Sequence, residues 1–295
     1  MYKRQEKGDY QALNFYYLPS RRCIILWSQK CACTSISKWI KASFEEAQQS
    51  GKKQSTRTYL GLNGYNFDNI RNLNPWIQSS GGEIQHVIIS SRDPVSRITS
   101  SFVNKFHVYE NRTIFDKNKR IQGFAKLFSK DLLQEIRHQS GEKRQRGDFS
   151  LEELIRYLYQ QKDDLDTINP HFTPQISTEK RFEIIKNLIN SNIKIHPLRV
   201  SNFSEDLQKI NHSLGLETMP SFVNSTRLPT HEWRFDGTGS SASKRVSVLH
   251  QEKLIPNARA LRELLQKKSD LQEQFQQLFQ YDFALQNAMN ELSDH

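Results

Sequence analysis

The run Arg22-Cys23-Ile24-Ile25-Leu26-Trp27 is apolar without a break after its first residue, as expected of a strand buried on both faces. A polar turn follows, and Ile36, Trp39, Ile40, Phe44 and Ala47 then recur at helical spacing up to Gly51. The same order appears again downstream. His86-Val87-Ile88-Ile89 reads as a strand, and after a turn Val95, Ile98, Phe102, Val103 and Phe106 fall on one helical face. Strand, turn and helix twice over predicts parallel βα units, and so an α/β fold with a parallel sheet flanked by helices.

The remaining pattern adds helices around that sheet. Residues 1–20 read as a polar lead-in, and residues 111–148 as a basic helical insertion. Between 111 and 146 there are 10 Lys and Arg against 4 Asp and Glu. That excess fits either a solvated face or a docking surface for a polyanionic acceptor. Ser150-Leu151-Glu152-Glu153 has the form of a helix start, with Ser as cap and acids in the first turn. Turn residues from Asp163 to Pro174 end that helix, and a strand is expected around Ile193-Lys194-Ile195. Residues 225–245, with Gly239-Ser240-Ser241-Ala242-Ser243, read as a mobile loop. Leu271, Phe275, Leu278, Phe279 and Leu285 then mark a core-facing C-terminal helix. No repeat of about 20–50 residues is evident, so a solenoid is excluded and a single domain over 1–295 is expected.

Composition narrows the class. The 17 Phe, 10 Tyr and 4 Trp exclude wholesale disorder. Lys and Arg exceed Asp and Glu by 10, which favours an anionic partner without choosing among nucleic acid, phosphorylated cofactor, acidic glycan or membrane surface. There is no apolar run of about 18 residues and no apolar leader, so the chain is expected to be cytoplasmic, with no transmembrane segment. Peripheral membrane contact stays open. Cys23, Cys31 and Cys33 lie close together with no partner set elsewhere, which predicts neither a disulfide framework nor a metal site.

Two segments carry candidate chemistry. Ser28-Gln29-Lys30-Cys31-Ala32-Cys33-Thr34-Ser35 joins a strand to a helix, where unpaired N–H groups and the positive dipole end favour an anion. Lys30 adds a cation, and Thr34 and Ser35 add hydroxyls. The alternative is an ordinary connection with Thr34 or Ser35 as N-cap. In the second segment, Ser90 to Phe102, Arg92 ends a strand, Pro94 suits the first helical turn, and Ser100 lies two turns along. Arg92 and Ser100 can converge on one phosphate. Alternatively, Arg92 pairs with Asp93, and Arg97 sits on the surface.

Together, Lys-x-Ala-Cys-Thr-Ser and Arg-Asp-Pro-x-x-Arg-x-x-Ser resemble the sulfotransferases that use 3′-phosphoadenosine 5′-phosphosulfate. The similarity is greatest to their carbohydrate branch, which includes the chondroitin- and HNK-1-type enzymes. Asn169-Pro170-His171-Phe172-Thr173-Pro174-Gln175 resembles that family's acidic-x-His-aromatic-x-Pro-Gln segment. Phe222-Val223-Asn224-Ser225-Thr226 and Tyr281-Asp282-Phe283 resemble two later stretches. Ser28-Gln29 stands where the family has Val-Pro, and Val95 where Phe is common. The resemblance implies a P-loop-type parallel sheet with additional helical decoration. It assigns Lys30, Cys31, Ala32, Cys33, Thr34 and Ser35 to the 5′-phosphosulfate, and Arg92 and Ser100 to the 3′-phosphate. It also implies a carbohydrate or glycolipid acceptor, acidic or neutral; no metal and no nucleic-acid partner are expected. Lys30 is the candidate for stabilising the leaving oxygen and His171 the candidate base, with His107 in reserve. Lys244-Arg245 reads as a solvated pair, with closure over the nucleotide as the alternative. The rival readings are an ATP-dependent P-loop phosphotransferase, which lacks its Gly-Lys-Ser/Thr ending here, and a basic nucleic-acid-binding protein, for which no reader motif is present.

Overall fold

The structure is a computed structural model and describes residues 13–43, 65–66, 84–109, 112–113, 123–216 and 232–293. Strands β1 (Leu13–Leu18) and β2 (Cys23–Ser28) lead into helix α1 (Cys33–Ser43) and the short β3 (Tyr65–Asn66). Next come β4 (His86–Ser91), α2 (Pro94–Phe102), a wide π-type turn at Val103–His107, and a ribbon of β5 (Val108–Tyr109) and β6 (Arg112–Thr113). Helices α3 (Gly123–Ser140), α4 (Leu151–Gln160) and α5 (Glu179–Ile189) precede β7 (Lys194–Arg199) and α6 (Phe203–Ser213). The chain closes with β8 (Arg234–Asp236), α7 (Gly239–Ser243), α8 (Val246–Gln251), β9 (Leu254–Pro256), α9 (Ala258–Lys267) and α10 (Ser269–Glu291). Two compact units interleave along the chain. The sheet unit takes the described residues of 11–92, 175–224 and 281–295, and the helical unit those of 93–174 and 225–280.

In the sheet unit the strand order is β3-β1-β2-β4-β7. β2, β4 and β7 run parallel, and β1 and β3 add an antiparallel edge. Side chains alternate between two apolar layers, as the pleat requires. Cys23, Ile25 and Trp27 share one layer with Ile36, Trp39 and Ile40 of α1 and Leu207 and Ile210 of α6. Ile24 and Leu26 face the other, with Ile185 of α5 and Leu285 and Met289 of α10. Both faces are covered, so β2 and the centre of β4 read as apolar runs, while the outer strand β7 keeps Lys194, His196 and Arg199. The architecture is the α/β sheet flanked by helices that the two strand–turn–helix units imply. Residues 1–20 are not all polar lead-in, however: Leu13–Leu18 is strand β1, with Leu13, Phe15, Tyr16, Tyr17 and Leu18 all buried. A strand buried on both faces shows no alternation, and Asn14 interrupts its apolar run. Phe44 and Ala47 lie outside the described residues.

The helical unit packs around phenylalanine rings. Phe106 meets Phe149 edge-on at 4.7 Å, and Phe128 stacks on Phe172 at 4.3 Å. The capping box at Ser150 is complete, with the Ser150 hydroxyl accepting from Glu153 N–H and the Glu153 carboxylate accepting from Ser150 N–H. The insertion read over 111–148 includes the two-residue β6 and the 18-residue helix α3, which buries Ala125, Phe128, Ser129 and Leu132. The described part of 225–245 is not a loop. Arg234–Asp236 pairs with β9, and Gly239–Ser243 is a helix whose Ser241 and Ala242 are buried. Gly239 serves close packing there: a Cβ on it would come within 3.0 Å of the Leu264 backbone nitrogen. Residues 225–231 lie outside the described residues. Lys244 and Arg245 pair with Glu252 and Glu142, each at 2.5 Å. α10 buries the apolar positions read from its spacing and leaves helical geometry at Phe279.

Candidate anion-binding corner and histidine site

β2 ends at Ser28 and α1 begins at Cys33, leaving four residues to turn the chain. Two of them, Lys30 and Ala32, have φ of 66° and 56°, the left-handed region that glycine ordinarily fills. Each costs about 1–2 kcal/mol relative to ordinary backbone. Strain of this kind gathers at binding sites, where surrounding contacts over-determine the geometry. Those contacts are present. The Ser28 hydroxyl donates to Cys31 Sγ at 3.0 Å, and the Cys31 thiol donates to Gln175 Oε1 at 3.2 Å. The thiol of Cys31 is therefore part of a clamp in the core. The α1 ladder begins with Ile36 N–H on the Ala32 carbonyl at 2.9 Å, so the N–H groups of Cys33, Thr34 and Ser35 lie ahead of it. Thr34 is exposed, Lys30 half-buried and Ser35 buried.

Arg92 follows the end of β4, the parallel neighbour of β2. Its Nη1 donates to the Lys30 carbonyl at 2.9 Å. Lys30 and Arg92 thus meet at the carboxyl ends of the adjacent strands β2 and β4. Gln175 ties them further. While its Oε1 accepts from Cys31, its Nε2 donates to the Ser90 carbonyl at 2.7 Å. Asp282, 3% exposed, accepts from the N–H groups of Gln175 and Ile176 at 2.8 Å each. Gln175 and Asp282 had no assigned role in the sequence. Their signal was present in the Pro-Gln and Tyr-Asp-Phe motifs, but the contacts span 85 to 144 residues, which spacing does not reveal.

In the helical unit, Asp93 caps α2, accepting from Ser96 N–H at 2.9 Å, and also pairs with Arg262 at 2.6 Å. Asp93 is thus engaged within its own unit. Arg97 is not a surface residue: it is 1% exposed and donates to the Thr173 carbonyl. Ser100 is half-buried on α2, and the hydroxyl of its neighbour Ser101 donates to the His171 carbonyl at 2.5 Å. His171 is half-buried, its ring stacked on Phe124 at 4.7 Å and its Nδ1 2.6 Å from Asn169 Oδ1. His107, the reserve base, is fully buried with Nε2 2.6 Å from the Leu254 carbonyl, a structural contact inside the core. The segment 222–226 lies outside the described residues, and no described helix is long and apolar enough to cross a membrane.

Parallel strands that end in a strained, glycine-free turn beside an arginine define an α/β protein whose strand ends suit an anionic ligand. The chain belongs to the sulfotransferase family, whose family model matches residues 15–287. It is accordingly a sulfotransferase, and the phosphotransferase and nucleic-acid readings fall away as its principal activity. No curated protein and no solved structure matches the chain.

Proposed function

We propose that this sulfotransferase takes 3′-phosphoadenosine 5′-phosphosulfate as donor and passes the sulfuryl group in line to a hydroxyl of a carbohydrate or glycoconjugate, releasing adenosine 3′,5′-bisphosphate. The observation that carries the reading is the bond from Arg92 to the Lys30 carbonyl, 2.9 Å long, which supports one strand-end location for both phosphate-directed motifs. The donor set suits the nucleotide: α1 N–H groups, two hydroxyls, an ammonium and a guanidinium, with no carboxylate in the first turn and the one in the second, Asp93, engaged by Ser96 N–H and Arg262.

When bound, the donor supplies an activated sulfuryl group and a phosphate leaving oxygen that gains negative charge. Lys30 is proposed to meet that charge, and a preorganised cation there stabilises the transition state more than the ground state. Cys31, Ala32 and Cys33 would contribute backbone, and Thr34 and Ser35 hydroxyl donors, toward the 5′ end. Arg92 and Ser100 are proposed to grip the 3′-phosphate. His171 is proposed to take the acceptor hydroxyl proton, its Asn169 contact leaving Nε2 as the basic nitrogen. The carbohydrate acceptor rests on the resemblance to the carbohydrate branch, and the surplus of 10 positive charges suits an acidic one.

The test is incubation with ³⁵S-labelled donor and a panel of chondroitin, dextran, glycolipid and a simple alcohol. The expected outcome is label on a carbohydrate hydroxyl, abolished by His171→Gln. Label confined to the simple alcohol would overturn the carbohydrate assignment.

A further inference from the structure

The segment that resembles acidic-x-His-aromatic-x-Pro-Gln carries an amide where the pattern has an acid. That residue is Asn169. We propose that Asn169 is a positioning residue that holds His171 as the Nδ1–H tautomer and orients it without the added basicity a carboxylate would confer. The inference rests on the reading of His171 as the base.

The geometry is local to one segment. Asn169 Oδ1 lies 2.6 Å from His171 Nδ1 and accepts the His171 backbone N–H at 3.1 Å. An amide oxygen only accepts, so the ring nitrogen facing it carries the proton and the lone pair falls on Nε2. The ring plane is set by Phe124, stacked 15° from parallel, and the backbone by the Ser101 hydroxyl on the His171 carbonyl. A base held on three sides loses little freedom when it takes a proton.

Charge explains why the amide matters. The wide turn after α2 places Lys105 Nζ 5.3 Å from the Phe124 ring centre, and α2 contributes Arg97 on the Thr173 carbonyl. α3 adds half-buried Lys126, and exposed Asp163 and Asp164 lie upstream of Asn169. A carboxylate at 169 would touch the ring directly and stabilise imidazolium, whereas an amide gives orientation alone. A purely structural role for Asn169, closing the turn at His171, would be served equally by Asp.

Asn169→Asp separates the two. The measurement is histidine-ring ¹⁵N NMR of the full chain across pH, in the wild type and in Asn169→Asp, with His171→Gln identifying the resonances. The wild type is expected to show the Nδ1–H tautomer. Asn169→Asp is expected to move the titration midpoint upward by about one pH unit or more. An Nε2–H wild type, or an unmoved midpoint in Asn169→Asp, overturns the proposal. Labelled-donor turnover of His171→Gln tells the two failures apart. Full turnover removes His171 as base and the positioning role with it. Lost turnover with an unmoved midpoint removes only the role of Asn169.

Discussion

Lys30 carries two burdens at once, a left-handed backbone and the only Lys or Arg side chain in the turn between β2 and α1. The backbone is held by Arg92 on its carbonyl, so the side chain can change while the turn stays clamped. Lys30→Ala is therefore expected to lower turnover about 10²–10³-fold, with a far smaller change in nucleotide affinity. Isothermal calorimetry beside single-turnover kinetics checks this; a large affinity loss with intact turnover would contradict it. Lys30 and Arg92 stood out as candidates in the sequence because each sits where a strand gives way to a helix. The clamping role of Cys31 did not stand out. Its thiol points to Gln175, 144 residues on, and nothing in the local sequence separates a clamp from a ligand.

Elements with strong periodicity or explicit caps were legible. α1, α2, α4 and α10 follow from apolar spacing, and the Ser150 box forms as written. β1 was hidden because burial on both faces removes alternation, and α7 because Gly and Ser composition reads as loop. At Gly239 the missing side chain provides room for α9: a Cβ would lie 3.0 Å from Leu264 N and 3.2 Å from the Glu263 carbonyl carbon. Both are backbone atoms, which yield little. Gly239→Ala is expected to destabilise the protein by about 1–3 kcal/mol, measured by urea denaturation. Unchanged stability would return the segment to the reading of a tolerant loop. The adjacent strands β4 and β7 carry a second testable feature. His86 Nδ1 lies 3.0 Å from His196 Nε2, and burial, more than neighbouring Lys194, holds both below the usual imidazole range, His196 at about 4. The unfolded chain takes up these protons from about pH 6.5 downward and the folded chain later, so stability falls as pH drops from 6.5 toward 4. Denaturation midpoints at pH 7 and 5 are expected to differ less in His196→Gln than in the wild type. An equal difference would remove the pair as the cause.

At the scale of the whole molecule, the sheet class and the family were legible, since both depend on βα corners that are local in sequence. The division into two interleaved units was not. Each unit is assembled from segments far apart along the chain, and the composition of those segments does not announce it. The net positive charge points to anions in general, and the proposal of a nucleotide with phosphate at both ends rests on the paired corners. The direct test is calorimetric titration of the wild type and of Arg92→Ala with adenosine 3′,5′-bisphosphate and with ATP. The bisphosphate is expected to bind at least tenfold more tightly than ATP to the wild type, and that preference to vanish in Arg92→Ala. Equal affinities in the wild type, or a preference that survives the substitution, would contradict the proposal.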